Sequence, residues 1–277
     1  MDNITIIEPR TSSNRLNFKE IYRYNDLLYF MVLRDVTVIY KQSVLGFAWA
    51  LINPVFSMLV FSVVFGKLAG VPSDGIPYPI FSYAALIPWT YFANTLNASG
   101  SSLISSSGLF TKVYFPRLII PLTPVLSKLI DFSISFVILV LLMFYYHYMP
   151  TMKLFLIPLL IVILMLATAG LGFWLSSLAI QYRDVKFGIT FAVPLLMYAA
   201  PVVFPASLIL EKYGSTAYHI YGLYPMTGVI EGFRAAVIST KEIPWDLIGI
   251  SSIGAIVLFI IGLFVFNKLE SKFADVA

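Results

Sequence analysis

Six stretches of this chain stay apolar for roughly the length of a membrane crossing, and the charged residues between them come in short clusters. The runs cover residues 44–66, 80–98, 119–146, 154–180, 187–205 and 246–266. A helix needs about 20 mostly apolar residues to cross a bilayer. The pattern therefore predicts an all-α polytopic membrane protein with six transmembrane helices. Pro54, Pro88, Pro158, Pro194 and Pro201 fall inside the runs. Membrane helices tolerate this because neighbouring groups re-satisfy the freed carbonyls.

The segments outside these runs are not plain loops. Residues 1–43 read as a cytoplasmic N-terminus. Within it, LLYFMVLRDVTVIYKQ mixes apolar residues with Arg34, Asp35 and Lys41. Arg34 and Lys41 are seven residues apart and share a helix face, while Leu27, Phe30 and Met31 can share another. That is the pattern of an amphipathic helix lying in the membrane interface. Its basic face serves either lipid headgroups alone or also a partner. Residues 99–118 form the connection before the third run, and the serine-rich SSLISSSG at 101–108 reads as a flexible polar approach or a helix cap and turn. In the third run Lys128 and Asp131 stand i,i+3 apart, placing them near the boundary, where Lys can snorkel. Residues 206–245 carry too much charge for a seventh span. Pro225 suits a first helical turn, and Glu231 and Arg234 share the i,i+3 spacing of a helical ion pair. These residues read either as short external or re-entrant helices or as a solvated loop with a local ion pair. Residues 267–277 form a short tail.

Charge sets the orientation. Of the 18 Lys and Arg residues, 13 fall on one side: the N-terminus, the second-to-third and fourth-to-fifth connections, and the tail. Five fall on the other side. Basic residues concentrate in cytoplasmic segments, so both termini are expected in the cytoplasm. The first 26 residues hold eight charges and no apolar core, unlike a signal peptide. Charged residues make up 12% of the 277, half the usual share of a soluble domain. There is no cysteine, and the two histidines, His147 and His219, lie far apart, which argues against disulfides and a metal centre. No dense basic patch suggests nucleic acid.

The sequence holds no G-x-x-x-x-G-K-[ST] loop to cradle phosphate and no hydrolase or metalloprotease motif. The spans also lack the buried carboxylate or arginine clusters of ion-coupled carriers. An energised transporter without either draws its energy from another chain. TKVYFPRLIIPL, 111–122, holds aromatics, prolines and two basic residues on the expected cytoplasmic side. It could dock on a soluble ATPase.

Four stretches together carry a family resemblance: LRDVTVIYKQSVLGFAWALINP (33–54), LIPWTYF (86–92), KVYFPRLIIPL (112–122), and YRDVKFG (182–188) with YPMTGVIEGFR (224–234). In this order the chain resembles, from about residue 20 to 266, the membrane subunit of type-2 ABC exporters of cell-surface polysaccharide, the group that moves O-antigen, capsule and teichoic acid. The resemblance implies a homodimer of this chain with two copies of a nucleotide-binding ATPase, in a bacterial cytoplasmic membrane. It implies a coupling helix with Lys112, Tyr114, Phe115, Pro116 and Arg117 at or beside the ATPase, and Arg183 and Asp184 on a second cytoplasmic loop. It further implies that 206–240 closes the external end of the channel, with Glu231 and Arg234 in that region. The cargo would be a polyprenyl-pyrophosphate-linked glycan. No cofactor is expected in this chain; ATP and Mg would be bound by the partner subunit.

Sugar rings stack on aromatic faces, and the chain holds 23 Phe, 17 Tyr and 4 Trp. Tyr83, Trp89, Tyr91, Tyr198, Tyr221 and Tyr224 are therefore candidate channel residues. The competing account is interfacial anchoring and helix packing. Two other functions share parts of the pattern: a permease for a lipid or small hydrophobic compound, and a membrane-embedded lipid-linked sugar transferase. The sparse acid on the cytoplasmic loops speaks against the transferase, since only Asp184 stands in the fourth-to-fifth loop.

Overall fold

A computed structural model describes residues 18–41, 48–110, 113–271 and 273. Every regular element among the described residues is helical. Two short helices, α1 (Phe18–Arg23) and α2 (Asn25–Lys41), precede α3 (Ala48–Phe61), which Ser62–Leu68 continues as a π-turn. There follow α4 (Tyr78–Ser105), α5 (Ser107–Phe110), α6 (Ile119–Tyr145), α7 (Ile157–Gln181) and α8 (Arg183–Ala199). The chain ends with α9 (Ser207–Gly222), α10 (Pro225–Val237) and α11 (Trp245–Glu270).

Among the described residues, four helical segments are long and apolar enough to cross a membrane: Leu51–Leu68, Ile119–Tyr145, Met152–Gln181 and Trp245–Glu270. The second and fifth sequence runs fall on α4 and α8, which are not among the four. At 17 residues, α8 is short, and it opens with Arg183, Asp184 and Lys186. The 28 residues of α4 make it long enough, at about 1.5 Å per residue, but it is studded with Ser, Thr, Asn and Tyr. Packing explains its composition. α4 sits at the centre, against α3, α6, α7, α8 and α10, so protein rather than lipid covers most of its surface.

The polar side chains of α4 bond to backbone on neighbouring helices. Tyr83 donates to the Ser135 carbonyl at 3.2 Å, Tyr91 to that of Val125 at 2.6 Å, and Ser99 to that of Pro121 at 3.0 Å. The serine-rich stretch departs from the flexible approach that sequence allows. α4 remains helical through Ser105, because Ser101, Ser102 and Ser105 return their hydroxyls to carbonyls three or four residues back. Such back-bonding lets serine sit inside a helix without an outside partner.

A second close contact joins α7 to α11. A β-carbon added at Gly262 would fall on the carbonyl oxygen of Gly170, and one at Gly170 would lie 2.6 Å from the Leu258 carbonyl. Small residues at such crossings let helix backbones approach in a membrane, where packing rather than the hydrophobic effect drives association.

Candidate functional site

Antiparallel helices sort the connections into two ends, about 40 Å apart along α4 at 1.5 Å per residue. One end gathers α1, residues 113–118, the α7–α8 junction and the end of α11. The other gathers residues 69–77, 146–156, 200–206 and 238–244.

At the second end the chain buries charge. The Arg234 side chain is wholly inaccessible and Glu231 is 2% exposed. They pair at 2.8 Å one turn apart on α10, which begins at Pro225, a residue suited to the first turn. Arg234 also donates to the carbonyls of Phe81 (3.2 Å) and Val202 (2.9 Å), and its guanidinium lies 3.6 Å from the centre of the Phe81 ring. Glu231 accepts the Ala206 amide at 3.0 Å on one oxygen and Lys241 at 2.7 Å on the other. Lys241 reaches Asp74 at 2.9 Å, and Asp74 accepts the Ser207 hydroxyl at 2.8 Å. Lys153 donates to the carbonyls of Ser239 and Lys241. The network thus fastens α10, α4 and all four connections of that end. Burial alone would raise the Glu231 pKa. The charges of Arg234 and Lys241 and the Ala206 amide outweigh it and hold the carboxyl below its ordinary value.

The i,i+3 spacing on α10 exposes the Glu231–Arg234 pair to sequence reading, but not its burial. Asp74, Lys153, Ser207 and Lys241 are brought in from segments scattered over the chain. The turn at Asp74–Gly75, where both residues adopt positive φ, carries a local sequence cue in its Asp-Gly dipeptide.

At the first end, Lys112 lies outside the described residues. Val113 and Tyr114 face outward, 57% and 67% exposed, whereas Phe115 is buried at 4%. Pro116 and Arg117 are half-buried. The Tyr114 hydroxyl donates to the Glu20 carboxylate at 3.2 Å, and Arg117 donates to the carbonyl of Glu270, the last residue of α11, at 2.6 Å. Arg183 and Asp184 are exposed in the first turn of α8. Arg34, paired with Asp35 at 2.9 Å, and Lys41 are exposed on α2. Farther in, Lys128 and Asp131 pair at 3.0 Å on α6.

The aromatic candidates divide. Tyr83, Trp89 and Tyr91 are buried within the helical body, while Tyr221 and Tyr224 are half-buried beside α10. Tyr198 is exposed, on a face of α8 that also presents Phe187, Phe191 and Leu195. Positions 187, 191, 195 and 198 follow the i, i+4, i+8, i+11 spacing of one helix face. Among the described residues no group of three or more His, Cys, Asp or Glu is placed to hold a metal ion.

Among the described residues the body is all-helical, with four segments able to cross a membrane and an outward-facing loop at one end. The chain belongs to the family described as "ABC-2 type transporter", whose sequence profile matches residues 26–238. It is similar to the O-antigen export system permease protein RfbA of Klebsiella pneumoniae, 28% identical over 252 residues that cover 91% of this chain and 95% of the relative. The protein of the same name from Myxococcus xanthus is 29% identical over 218 residues, covering 78% and 82%. The polysialic acid transport protein KpsM of Escherichia coli is 24% identical over 215 residues, covering 75% and 79%.

Proposed function

We propose that this chain is the membrane-spanning permease subunit of an ABC exporter that moves a polysaccharide, attached to a polyprenyl-pyrophosphate lipid, out across the bacterial cytoplasmic membrane. The observation that carries the reading is similarity over nearly the whole chain to permeases named for O-antigen export, in the ABC-2 family. ATP hydrolysis belongs to a separate subunit, which binds ATP and Mg. The active assembly holds two copies of this chain and two of that ATPase. In this reading α4 and α8 complete six spans, and both termini are cytoplasmic, in accord with the asymmetry of Lys and Arg.

Each end then has its part. Residues 113–118, with Arg183 and Asp184, lie at or beside the ATPase. α9 and α10 close the outer end, α10 as its anchored element and α9, largely exposed and bent at Gly214 (φ 81°), as its outer layer. The exposed row Phe187, Phe191, Leu195 and Tyr198 supports a passage shared between two copies, since aromatic faces stack on the C–H faces of sugars. Interfacial anchoring in lipid is the other use of such residues.

The test is purification from native membranes in mild detergent, with mass spectrometry of what accompanies the chain. A stoichiometric soluble subunit bearing a phosphate-cradling ATPase motif supports the reading. Reconstitution of the pair in vesicles with a lipid-linked glycan should then give ATP-dependent translocation. Transfer of a lipid or small apolar compound instead would retain the ABC reading and replace the cargo. Sugar transfer by this chain alone, with Mg and a nucleotide-sugar, would overturn both.

A further inference from the structure

Resting on the reading of residues 113–118 as the ATPase-docking loop, we infer that Arg117 does not itself face the partner. It is a positioning residue that joins the loop to the end of α11, and the exposed pair Val113 and Tyr114 forms the contact surface.

The geometry divides the loop by role. Arg117 is half-buried and aims its guanidinium inward, at the carbonyl of Glu270. The last carbonyls of a helix have no intrahelical donor, and that end carries partial negative charge. A cation there both fills the hydrogen bond and complements the dipole. Two residues earlier, Phe115 enters an apolar cluster with Met31 of α2, Ile119 of α6, Phe173 of α7, Phe266 of α11 and Phe273 just beyond it. Phe266 and Phe273 meet edge to face at 5.3 Å, and Phe173 meets Phe266 at 6.1 Å. One residue before Phe115, the Tyr114 hydroxyl reaches Glu20 of α1. The loop is thus held by α1, by α2 and by α11, three elements distant in sequence.

The arrangement has a mechanical consequence. A short loop with a buried aromatic plug and two polar ties cannot tilt without moving what it is tied to. Force applied at Val113 and Tyr114 is delivered to the last turn of α11 and to α2. From there it reaches α7 through the glycine contact of Gly262 with Gly170. The bilayer-crossing pair α7–α11 therefore receives the displacement directly, through Arg117.

The test uses the full-length permease in nanodiscs. The sequence has no cysteine, so Val113→Cys accepts one spin label, and its mobility is read without any partner. Arg117→Gln should make the label more mobile, and Arg117→Lys, which still offers a cation to the carbonyl, should restore the wild-type spectrum. Tyr114→Phe changes one exposed hydroxyl, leaves the fold intact, and should also raise mobility. With unlabelled protein, Arg117→Gln should lower recovery of the co-purifying ATPase subunit by about fivefold, the change in population that one hydrogen bond of ordinary strength makes. Reduced ATPase recovery with an unchanged label spectrum would make Arg117 a direct contact and overturn the inference, as would unchanged mobility in Tyr114→Phe if Arg117→Gln fails to fold. Full ATPase recovery in Val113→Asp together with Tyr114→Ala would remove the docking assignment instead, whatever the label reports.

Discussion

Replacing Arg234 by methionine removes the centre of the α10 network while keeping most of its apolar stem. Arg234 gives one charge-assisted bond to Glu231 and two good bonds to the carbonyls of Phe81 and Val202. Val202 lies in the irregular turn between α8 and α9, so its carbonyl loses a partner that a helix ladder would otherwise supply. Leaving one such buried acceptor unpaired costs about 1–3 kcal/mol. Glu231 is only partly orphaned, because Lys241 and the Ala206 amide remain. Removing one partner of a buried ion pair costs about 3–5 kcal/mol in general, and the remaining Lys241 bond places this case near the lower half, at about 4 kcal/mol including the carbonyl. Equilibrium unfolding in mixed micelles of rising SDS fraction measures it, followed by fluorescence. In the double variant Arg234→Met with Glu231→Leu, the two losses should fall short of additivity by about 1–3 kcal/mol. A loss under about 1 kcal/mol for Arg234→Met, the size of an exposed pair, would refute the buried network. So would strict additivity in the double variant.

Three further outcomes follow from the same contacts. Gly262→Ala should destabilise the chain by about 2 kcal/mol, because its new methyl meets the backbone of Gly170 and the helices must part. Gly249→Ala, on the same helix with open space around it, should be neutral or slightly stabilising, so equal melting shifts for both would remove the close-contact account. Glu231 has a folded-state pKa below its ordinary value of 4.5, so its contribution is present above that value and is lost as pH falls through the folded-state pKa. The wild-type melting temperature should therefore fall more steeply below about pH 4.5 than that of Glu231→Gln, and parallel curves would refute the assignment. Phe187→Ala with Phe191→Ala should leave the melting temperature nearly unchanged, since both rings are more than 70% exposed. It should reduce glycan translocation in vesicles; undiminished transport would place the row against lipid.

The sequence by itself determined that this chain is helical and membrane-embedded, because the energy of hydrating or burying a twenty-residue apolar segment depends on composition, and composition is local. It determined where α6, α7 and α11 run, since their residues are nearly all apolar over a membrane-crossing length. It also exposed the Glu231–Arg234 pair, whose spacing is set by the pitch of one helix. α4 was harder to read. Its polar residues look like a break in a span, and only the tertiary structure decides that Tyr83, Tyr91 and Ser99 are satisfied by carbonyls of α6. The same holds for Arg117, whose partner lies 153 residues away at the end of α11, and for Asp74, Lys153 and Lys241, which converge from separate connections on a pair already buried. Periodicity reports which face of a helix is apolar; it carries no information about which helix end will stand beside it. That choice is made by packing, when the glycines of α7 and α11 let the two backbones touch and bring the end of α11 under the loop.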